Sequence, residues 1–292
     1  MKQTVLITGA GGQLGQELLR SSAPGLNVIA AGRSELDITD ERAVALFFDQ
    51  HRPSLVINAA AYTAVDRAES EPQLALQGNA LAPEILARCC RGAGARMVHV
   101  STDFVFDGFS DRPWLPDDTP APVSVYGKTK LAGEVAVQKE LPGALIIRTG
   151  WVYSCFGNNF VKTMLTLMAQ REELKVVDDQ VGTPTWAKGL AEAIWAGVQR
   201  NVSGVYHWSD DGVCSWYDFA LAISEEAQEL GLLPDKELRI LPIPGTEYPT
   251  PAARPAYSVL DKRASWRDFA IEGTHWRAQL RAMLAELKDR NL

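Results

Sequence analysis

Tyr126 and Lys130 form the residue pair in this sequence that is best suited to chemistry on a carbonyl group. They stand four residues apart, a spacing that places both side chains on one face of a helix. Hydride addition to a ketone needs a proton donor at the oxygen, and a phenol serves better once a neighbouring ammonium lowers its pKa. The spacing could be a coincidence, but no other tyrosine here has a lysine at the fourth following position.

A hydroxyl group that could assist this pair follows the apolar stretch Arg96–Ser101, which we interpret as a strand. The triplet Ser101-Thr102-Asp103 stands where that strand ends. Parallel sheets present their chemistry at the carboxyl ends of the strands, so a hydroxyl there could hold a substrate oxygen beside Tyr126. The alternative is an ordinary turn or helix cap, in which these residue types are common.

A glycine-rich segment near the start of the chain, TGAGGQLG, indicates a dinucleotide site. Gly9, Gly12 and Gly15 recur every third residue between a predicted strand and a predicted helix. Residues without side chains let the backbone approach a pyrophosphate, and the helix N-terminus offers free N–H groups. The alternative is a tight strand-helix turn without a ligand, and the position at the first such junction favours the dinucleotide.

The segment Gly32-Arg33-Ser34 stands where dinucleotide sites that prefer NAD usually carry an acid. Arg33 could instead pair with a 2′-phosphate, which favours NADPH, or it could be a solvated loop arginine. Asp37 and Ile38 fall where the adenine end of the cofactor is often met. Asp37 could equally cap the helix that follows.

The elements that position these residues alternate along the first half of the chain. Predicted strands are Thr4–Thr8, Asn27–Ala31, Leu55–Ala59, Arg96–Ser101 and Ala144–Thr149, and predicted helices are Gln13–Ser21, Asp40–His51, Pro72–Gly92 and Val125–Glu140. Such alternation predicts an α/β fold, a Rossmann-type doubly wound parallel sheet covered on both faces. We expect a dinucleotide-binding domain over 1–150, to which elements of 180–210 return, and a smaller irregular substrate-binding region over 151–292.

The later part of the chain has a looser pattern. Predicted elements there are helix Asn158–Gln170, strand Leu174–Asp178, helix Trp186–Gln199, strand Gly204–Trp208, helix Ser215–Leu230, a proline-rich stretch LPIPGTEYPTPAARP and a last helix from about His275.

Composition excludes several classes of function. Lys and Arg total 29 against 36 Asp and Glu, a formal net charge of −7 over 292 residues, so we expect neither nucleic-acid nor membrane binding. The four cysteines fit neither a zinc site nor a disulfide framework, and the chain starts without a signal-peptide pattern, which indicates a cytoplasmic protein. The four histidines form no metal pattern, and His99 in its apolar strand is interpreted as a core residue. We expect no catalytic metal.

Eight blocks of sequence, in order from residue 4 to about 261, resemble the dTDP-4-dehydrorhamnose reductases of the extended short-chain dehydrogenase/reductase type. They are TGAGGQLG, INAAAYTAVDRAESEP, HVSTDFVFDG, VYGKTKLAGE, IIRTGWVY, GNNFVKTM, DDQVGTPT and YPTPAARPAYSVLD. The resemblance implies NAD(P)H-dependent reduction of the 4-keto group of dTDP-6-deoxy-L-lyxo-4-hexulose, the last step of dTDP-L-rhamnose synthesis. The implied partner is a nucleotide-linked sugar.

The same resemblance implies a role for individual residues. Thr102 would orient the substrate carbonyl, Tyr126 would give the proton and Lys130 would hold the nicotinamide ribose. The residues that would line the cofactor are Gly9, Gly12, Gln13, Leu14, Gly15, Arg33, Asp37, Ile38, Ala59, Ala60 and Ala61. Asp103, Phe104 and Trp151 would contact the sugar. Asn158, Asn159, Lys162 and Arg254 fall in blocks that meet the diphosphate, or are helix-start amides and surface bases.

The sequence departs from the family pattern at two positions. Phe104 stands where the family often has Tyr, and Gly32 stands where some members carry an acidic ribose partner, so NADPH is the expected cofactor with NADH as an alternative. Some relatives form a homodimer through a structural Mg²⁺ ion. A homodimer fits the resemblance, but the sequence offers no acidic cluster to assign to that ion.

Two other functions stay open on the sequence. One is a reductase for another dTDP-4-keto-6-deoxysugar with a different product stereochemistry. The other is a non-catalytic regulatory subunit on the same fold, such as the β subunit of methionine adenosyltransferase. The presence of Thr102, Tyr126 and Lys130 together argues against the regulatory subunit.

Overall fold

The computed structural model describes residues 3–234 and 236–290. Its strands are β1 Thr4–Thr8, β2 Asn27–Ala31, β3 Leu55–Asn58, β4 Arg96–Thr102, β5 Leu145–Thr149, β6 Val152–Tyr153, β7 Glu173–Val177, β8 Val181–Gly182, β9 Thr185–Trp186, β10 Gly204–His207, β11 Cys214–Ser215 and β12 Arg239–Ile243. Its helices are α1 Gln13–Arg20, α2 Glu41–His51, α3 Val65–Ala68, α4 Pro72–Leu76, α5 Ala82–Ala93, α6 Val125–Glu140, α7 Phe160–Gln170, α8 Ala187–Gln199, α9 Trp216–Glu229, α10 Arg263–Phe269 and α11 Trp276–Arg290.

The main sheet has six parallel strands in the order β10-β5-β4-β3-β1-β2. Its strands are apolar on both faces because helices cover both sides. Leu6 packs with α2, α5 and α6, whereas its neighbours Val5 and Ile7 pack with α1, α8 and α10. The predicted doubly wound α/β fold is confirmed.

The order of the strands sets the position of the ligand cleft. The chain runs outward from β1 to β2 and then returns to place β3 on the other side of β1. A crevice opens where the direction of winding changes, beyond the carboxyl ends of β1 and β3. The glycine-rich turn and the segment Ala59–Ala61 leave the sheet at this point.

The later part of the chain forms a second cluster of packed residues. Helices α7, α9 and α11 enclose it together with the parallel pair β7 and β12. Strand β10 instead joins the main sheet beside β5, and α8 packs on α1. No helix within the described residues is long and apolar enough to cross a membrane.

The predicted helix Pro72–Gly92 is interrupted, which is the largest difference from the expected elements. A π-helical segment, Gln77–Leu81, separates α4 from α5. Pro83 has no N–H to donate to the carbonyl of Asn79, so the regular helical bond is lost at this turn. The carbonyl of Asn79 lies against α6. The approach is so close that a Cβ added to Gly133 would lie 2.0 Å from the carbonyl oxygen.

The proline-rich stretch is also more ordered than expected. Its first residues belong to β12, whose partner is β7, and the following segment contains the helix α10. Proline lacks a backbone donor but keeps its carbonyl, so Pro242 is tolerated within a two-stranded pair that has free edges.

Candidate active site

A cleft of about 1840 Å³ lies at the carboxyl ends of the main sheet, between the sheet and the α7–α9 cluster. It brings together most of the residues singled out in the sequence, namely Gly9, Gly12, Gln13, Leu14, Arg33, Asp37, Ile38, Ala59, Ala60, Ala61, Thr102, Asp103, Phe104, Tyr126, Lys130, Trp151, Asn158 and Arg254. Gly15, Asn159 and Lys162 do not line it.

The glycine-rich turn is shaped by contacts that a side chain would block. Gly9 has φ +67°, and a Cβ there would lie 2.7 Å from the amide nitrogen of Ala60. A Cβ on Gly15 would lie 2.3 Å from the carbonyl oxygen of Gly9. Gly15 thus acts by letting α1 pack on the turn. No side chain caps α1 at Gly12, so its first N–H groups are free to meet an anion.

A chain of buried side chains under the cleft fixes the turn after β3. The Thr8 hydroxyl donates to Asn58 Oδ1 at 2.6 Å, and the amide of Ala60 donates to the same oxygen at 3.3 Å. Asn58 Nδ2 lies 3.0 Å from Nδ1 of His99, and burial holds the pKa of His99 well below its usual value. His99 is therefore a neutral core residue that supports the cofactor side of the cleft.

The loop after β2 contains an acid that the sequence analysis did not consider. Arg33 is exposed at the rim of the cleft. Glu35 folds back so that its carboxylate accepts from the amide of Gly32 at 2.8 Å and from Ser34 Oγ at 2.6 Å. Both carboxylate oxygens are thereby used within the loop, whereas Arg33 and Asp37 line the cleft.

Asp37 holds a turn of its own and does not cap α2. Its Oδ1 accepts from the amide and the hydroxyl of Thr39, and these hydrogen bonds lower the pKa of Asp37. The cap of α2 is Asp40, whose carboxylate accepts from two amides of the first turn. Asp37 and Ile38 consequently stay on the cleft wall.

Tyr126 and Thr102 are held close together by the packing of α6 on the turn after β4. Ser124 caps α6 by accepting from the amide of Gly127 at 3.1 Å. A Cβ on Gly127 would lie 2.2 Å from the carbonyl oxygen of Phe104, so only glycine permits this approach. The ring of Phe104 meets that of Tyr126 edge-on, with centroids 5.5 Å apart.

The electrostatics of Tyr126 and Lys130 differ from the sequence-based expectation. Burial raises the pKa of Tyr126 to about 12, with a smaller opposing effect from the nearby Thr102 hydroxyl. Lys130 Nζ donates to the carbonyl of Val100 at 2.7 Å, and burial lowers the pKa of Lys130 to about 8. Desolvation thus outweighs any effect of Lys130 on the phenol, and near pH 7 a neutral phenol stands beside an ammonium.

Asp103 is a buried carboxylate with free bonding capacity at the cleft. Its Oδ1 accepts from Thr102 Oγ1 at 3.0 Å, while Oδ2 has no hydrogen-bond partner among the described residues. A Cβ on Gly150 would lie 2.5 Å from Oδ2. Burial raises the pKa of Asp103 to about 6. Asp103 thus lines the cleft while its Oδ2 is enclosed by protein.

Trp151 lies in a strained backbone conformation, with φ +52°. Its indole stacks on that of Trp216 with ring centroids 3.5 Å apart, and a Cβ on Gly182 would lie 2.7 Å from its Cε2. Strain in a bulky residue persists only where the surroundings impose it, and such sites concentrate in functional clefts. Trp216 was missed in the sequence, where it stands at the start of a predicted helix far along the chain from Trp151.

The residues expected at the diphosphate separate into two groups. Asn159 caps α7 by accepting from the amide of Lys162 at 3.1 Å, and Lys162 Nζ donates to the carbonyl of Gly157. These two side chains therefore support the start of α7. Arg254 lines the cleft and pairs with Asp66 at 2.8 Å, which joins the proline-rich segment to α3.

Metal ligands are not grouped in the part of the chain that the structure describes: no three His, Cys, Asp or Glu side chains are placed to share an ion.

Known proteins resemble the chain over nearly its whole length. The family described as "RmlD substrate binding domain" matches residues 1–289. A protein of Escherichia coli (strain K12) named dTDP-4-dehydrorhamnose reductase is 43% identical, covering 97% of each chain. A protein of Salmonella typhimurium with the same name is also 43% identical, with the same coverage.

Two solved structures share both sequence and fold with the chain. A dTDP-4-dehydrorhamnose reductase from Clostridium acetobutylicum has a TM-score of 0.92 and 40% identity, covering 98% of this chain and 100% of its own. A dTDP-4-dehydrorhamnose reductase from Bacillus anthracis, solved in complex with NADP, has a TM-score of 0.93 and 36% identity with the same coverage. The chain therefore belongs to the dTDP-4-dehydrorhamnose reductase family.

Proposed function

We propose that this chain reduces the 4-keto group of dTDP-6-deoxy-L-lyxo-4-hexulose (dTDP-4-dehydrorhamnose) with NADPH, yielding dTDP-L-rhamnose. The observation that carries the proposal is the convergence of Thr102, Tyr126 and Lys130 in the same cleft as the glycine-rich turn. The names of the family members and the NADP complex of the Bacillus anthracis protein support it.

The cofactor side of the cleft fits a dinucleotide phosphate. Gly9 lets the glycine-rich turn pack closely on the backbone of Ala60, and the uncapped start of α1 presents N–H groups to a pyrophosphate. Arg33 at the rim is a cation for a 2′-phosphate, since the carboxylate of Glu35 is engaged within its own loop. When bound there, NADPH supplies the hydride for the ketone.

The reacting oxygen is served by residues of β4 and α6. Tyr126 is the proton donor, because its high pKa keeps the phenol protonated until negative charge develops on the substrate oxygen. Thr102 orients that oxygen from the end of β4. Lys130 holds the nicotinamide ribose and contributes a positive charge next to the phenol.

The sugar is held by apolar and polar walls. Phe104 and Trp151 offer flat faces to the methyl group and the C–H face of a deoxysugar. Asp103 lines the cleft beside these rings and is the proposed acceptor of a sugar hydroxyl. Arg254 and Asn158 lie where the cleft can accommodate the diphosphate.

The test is turnover of the purified protein with NADPH and a small panel of nucleotide-linked 4-keto sugars, followed by absorbance of the reduced nicotinamide. Nuclear magnetic resonance of the product then assigns the configuration at the new alcohol carbon. We expect dTDP-L-rhamnose from the dTDP-linked L-lyxo-hexulose. A product with the other configuration, or turnover with a different sugar only, would overturn the substrate assignment.

A further inference from the structure

Glu134 lies at the centre of a buried polar cluster next to the proposed catalytic residues. Its Oε1 accepts from Ser101 Oγ at 2.5 Å and from Arg148 Nε at 2.9 Å, and its Oε2 accepts from Arg148 NH2 at 2.7 Å. Glu134, Ser101 and Arg148 are each less than 5% exposed. A buried ion pair with all bonds satisfied is costly to disturb on one side alone.

The cluster joins the helix of the tyrosine and lysine to the strands that carry the other site residues. Ser101 and Arg148 are direct neighbours in the register of β4 and β5, and the next pair in that register is Thr102 with Thr149. Glu134 stands four residues after Lys130, on the same face of α6. Ser101 directly precedes Thr102 in β4. The bonds of Glu134 to Ser101 and Arg148 therefore hold α6 against the sheet next to Thr102.

Arg148 extends the same anchor to the loop after β4. Its NH1 donates to the carbonyl of Pro116 at 3.1 Å, and its guanidinium lies 5.1 Å from the ring centre of Phe106. This cation is permanently charged and buried. Glu134 is the carboxylate paired with it.

We propose that Glu134 is a positioning residue of this reductase, which holds α6 on the ends of β4 and β5 and places a negative charge near Lys130. The proposal rests on the proposed role of Lys130. Glu134 itself does not line the cleft.

The titratable groups around Lys130 come from its own helix, from β4 and from the turn after β4: Tyr126, Glu134, His99 and Asp103. Arg67 and Glu71, paired with each other, line the opposite wall of the cleft. Burial keeps His99 neutral, and the pKa values of Asp103 and Tyr126, about 6 and about 12, lie far from the pKa of about 8 for Lys130. Loss of cofactor binding near pH 8 would therefore report on Lys130.

The charge of Glu134 determines in which direction the pKa of Lys130 changes in a variant. Burial lowers the pKa of Lys130, and the negative charge of Glu134 opposes that shift. Replacing Glu134 by a neutral residue removes this negative charge, so the pKa of Lys130 falls further. The ammonium is then lost at a lower pH.

The experiment measures NADPH binding by quenching of tryptophan fluorescence across a range of pH. For E134Q, which keeps an acceptor for Ser101, we expect binding near pH 8 to be about tenfold weaker than in the wild type, and the difference to shrink as the pH falls. The matched control is E140Q, which removes a carboxylate from the same helix at its far end, where Glu140 pairs with Arg91. It should bind as the wild type does at every pH.

Two further variants separate charge from packing. E134Q/R148M leaves no unpaired cation in the core, so it carries the test if E134Q does not fold, and without the negative charge of Glu134 its profile should be shifted as that of E134Q is. E134D keeps the charge but shortens the reach to Ser101, so it should retain the wild-type pH dependence and lose turnover. The proposal is overturned if E134Q and E134Q/R148M follow the wild-type profile, or if E134D is shifted as far as E134Q. Absence of turnover in the wild type would instead contradict the proposed function, and the binding profile would still be readable.

Discussion

The indole of Trp151 lies flat on the indole of Trp216, with 3.5 Å between ring centroids and 5° between ring planes. Trp151 follows β5 of the main sheet, whereas Trp216 begins α9 in the later part of the chain. The stack thus connects the end of the main sheet to the cluster of α7, α9 and α11, and both rings line the cleft.

Loss of the Trp216 ring, on which Trp151 stacks, should loosen the bound sugar. We predict that W216A raises KM for the sugar nucleotide and lowers kcat, each by on the order of tenfold or more, because a loosely held carbonyl loses its reactive geometry. W216F keeps a flat ring and should retain most of the activity. Steady-state kinetics with melting temperatures check this, since a large fall in melting temperature with unchanged KM would indicate a packing role alone.

The glycine-rich turn offers a matched pair of alanine substitutions. G9A places a side chain at φ +67° and 2.7 Å from the Ala60 amide. We therefore expect the free energy of unfolding to fall by at least about 1–2 kcal/mol from the backbone conformation alone. At Gly11 nothing lies within 4 Å of an added Cβ. G11A should therefore melt near the wild-type temperature, and equal melting of the two variants would contradict the geometry described for Gly9.

The ionisation of Lys130 predicts that folding stability and NADPH binding change with pH in opposite directions. Its pKa in the folded chain is about 8, against 10.5 in the unfolded chain, so the protein without ligand gains stability as pH rises between these values. Binding of NADPH should weaken over the lower part of that range, because the ammonium that meets the ribose is lost. Titrations of binding and of unfolding free energy test this, and both trends should disappear in K130M.

The choice of cofactor is predicted to depend on Arg33. R33A should weaken NADPH binding by about 1.5–3 kcal/mol, the range for hydrogen bonds to charged groups, and leave NADH binding unchanged. R42A is the matched control, because Arg42 is exposed on α2 and does not line the cleft. Equal changes in KM for both cofactors would show that Arg33 is a surface residue without a role in selection.

Several elements could be predicted because local pattern and tertiary packing agree there. The bounds of β1, β2 and α6 are those predicted from the sequence pattern, and Ser124 caps α6. Pro83 could have indicated the break in the helix before α5, but the hydrogen bonds of Asn79 with the backbone of Tyr62 join residues seventeen apart and leave no mark in the local pattern. In the site, sequence spacing identified Tyr126 and Lys130, but the partners Trp216 and Glu134 act through contacts between distant segments.

The central claim is that Tyr126 gives the proton in an NADPH-dependent reduction of a nucleotide-linked ketone. Its most direct test compares kcat of the wild type and Y126F with dTDP-4-dehydrorhamnose, alongside the dissociation constant for NADPH. The account predicts a fall in kcat of on the order of 10²–10⁴, the worth of a positioned acid, with NADPH affinity near that of the wild type. Unchanged turnover in Y126F would contradict it.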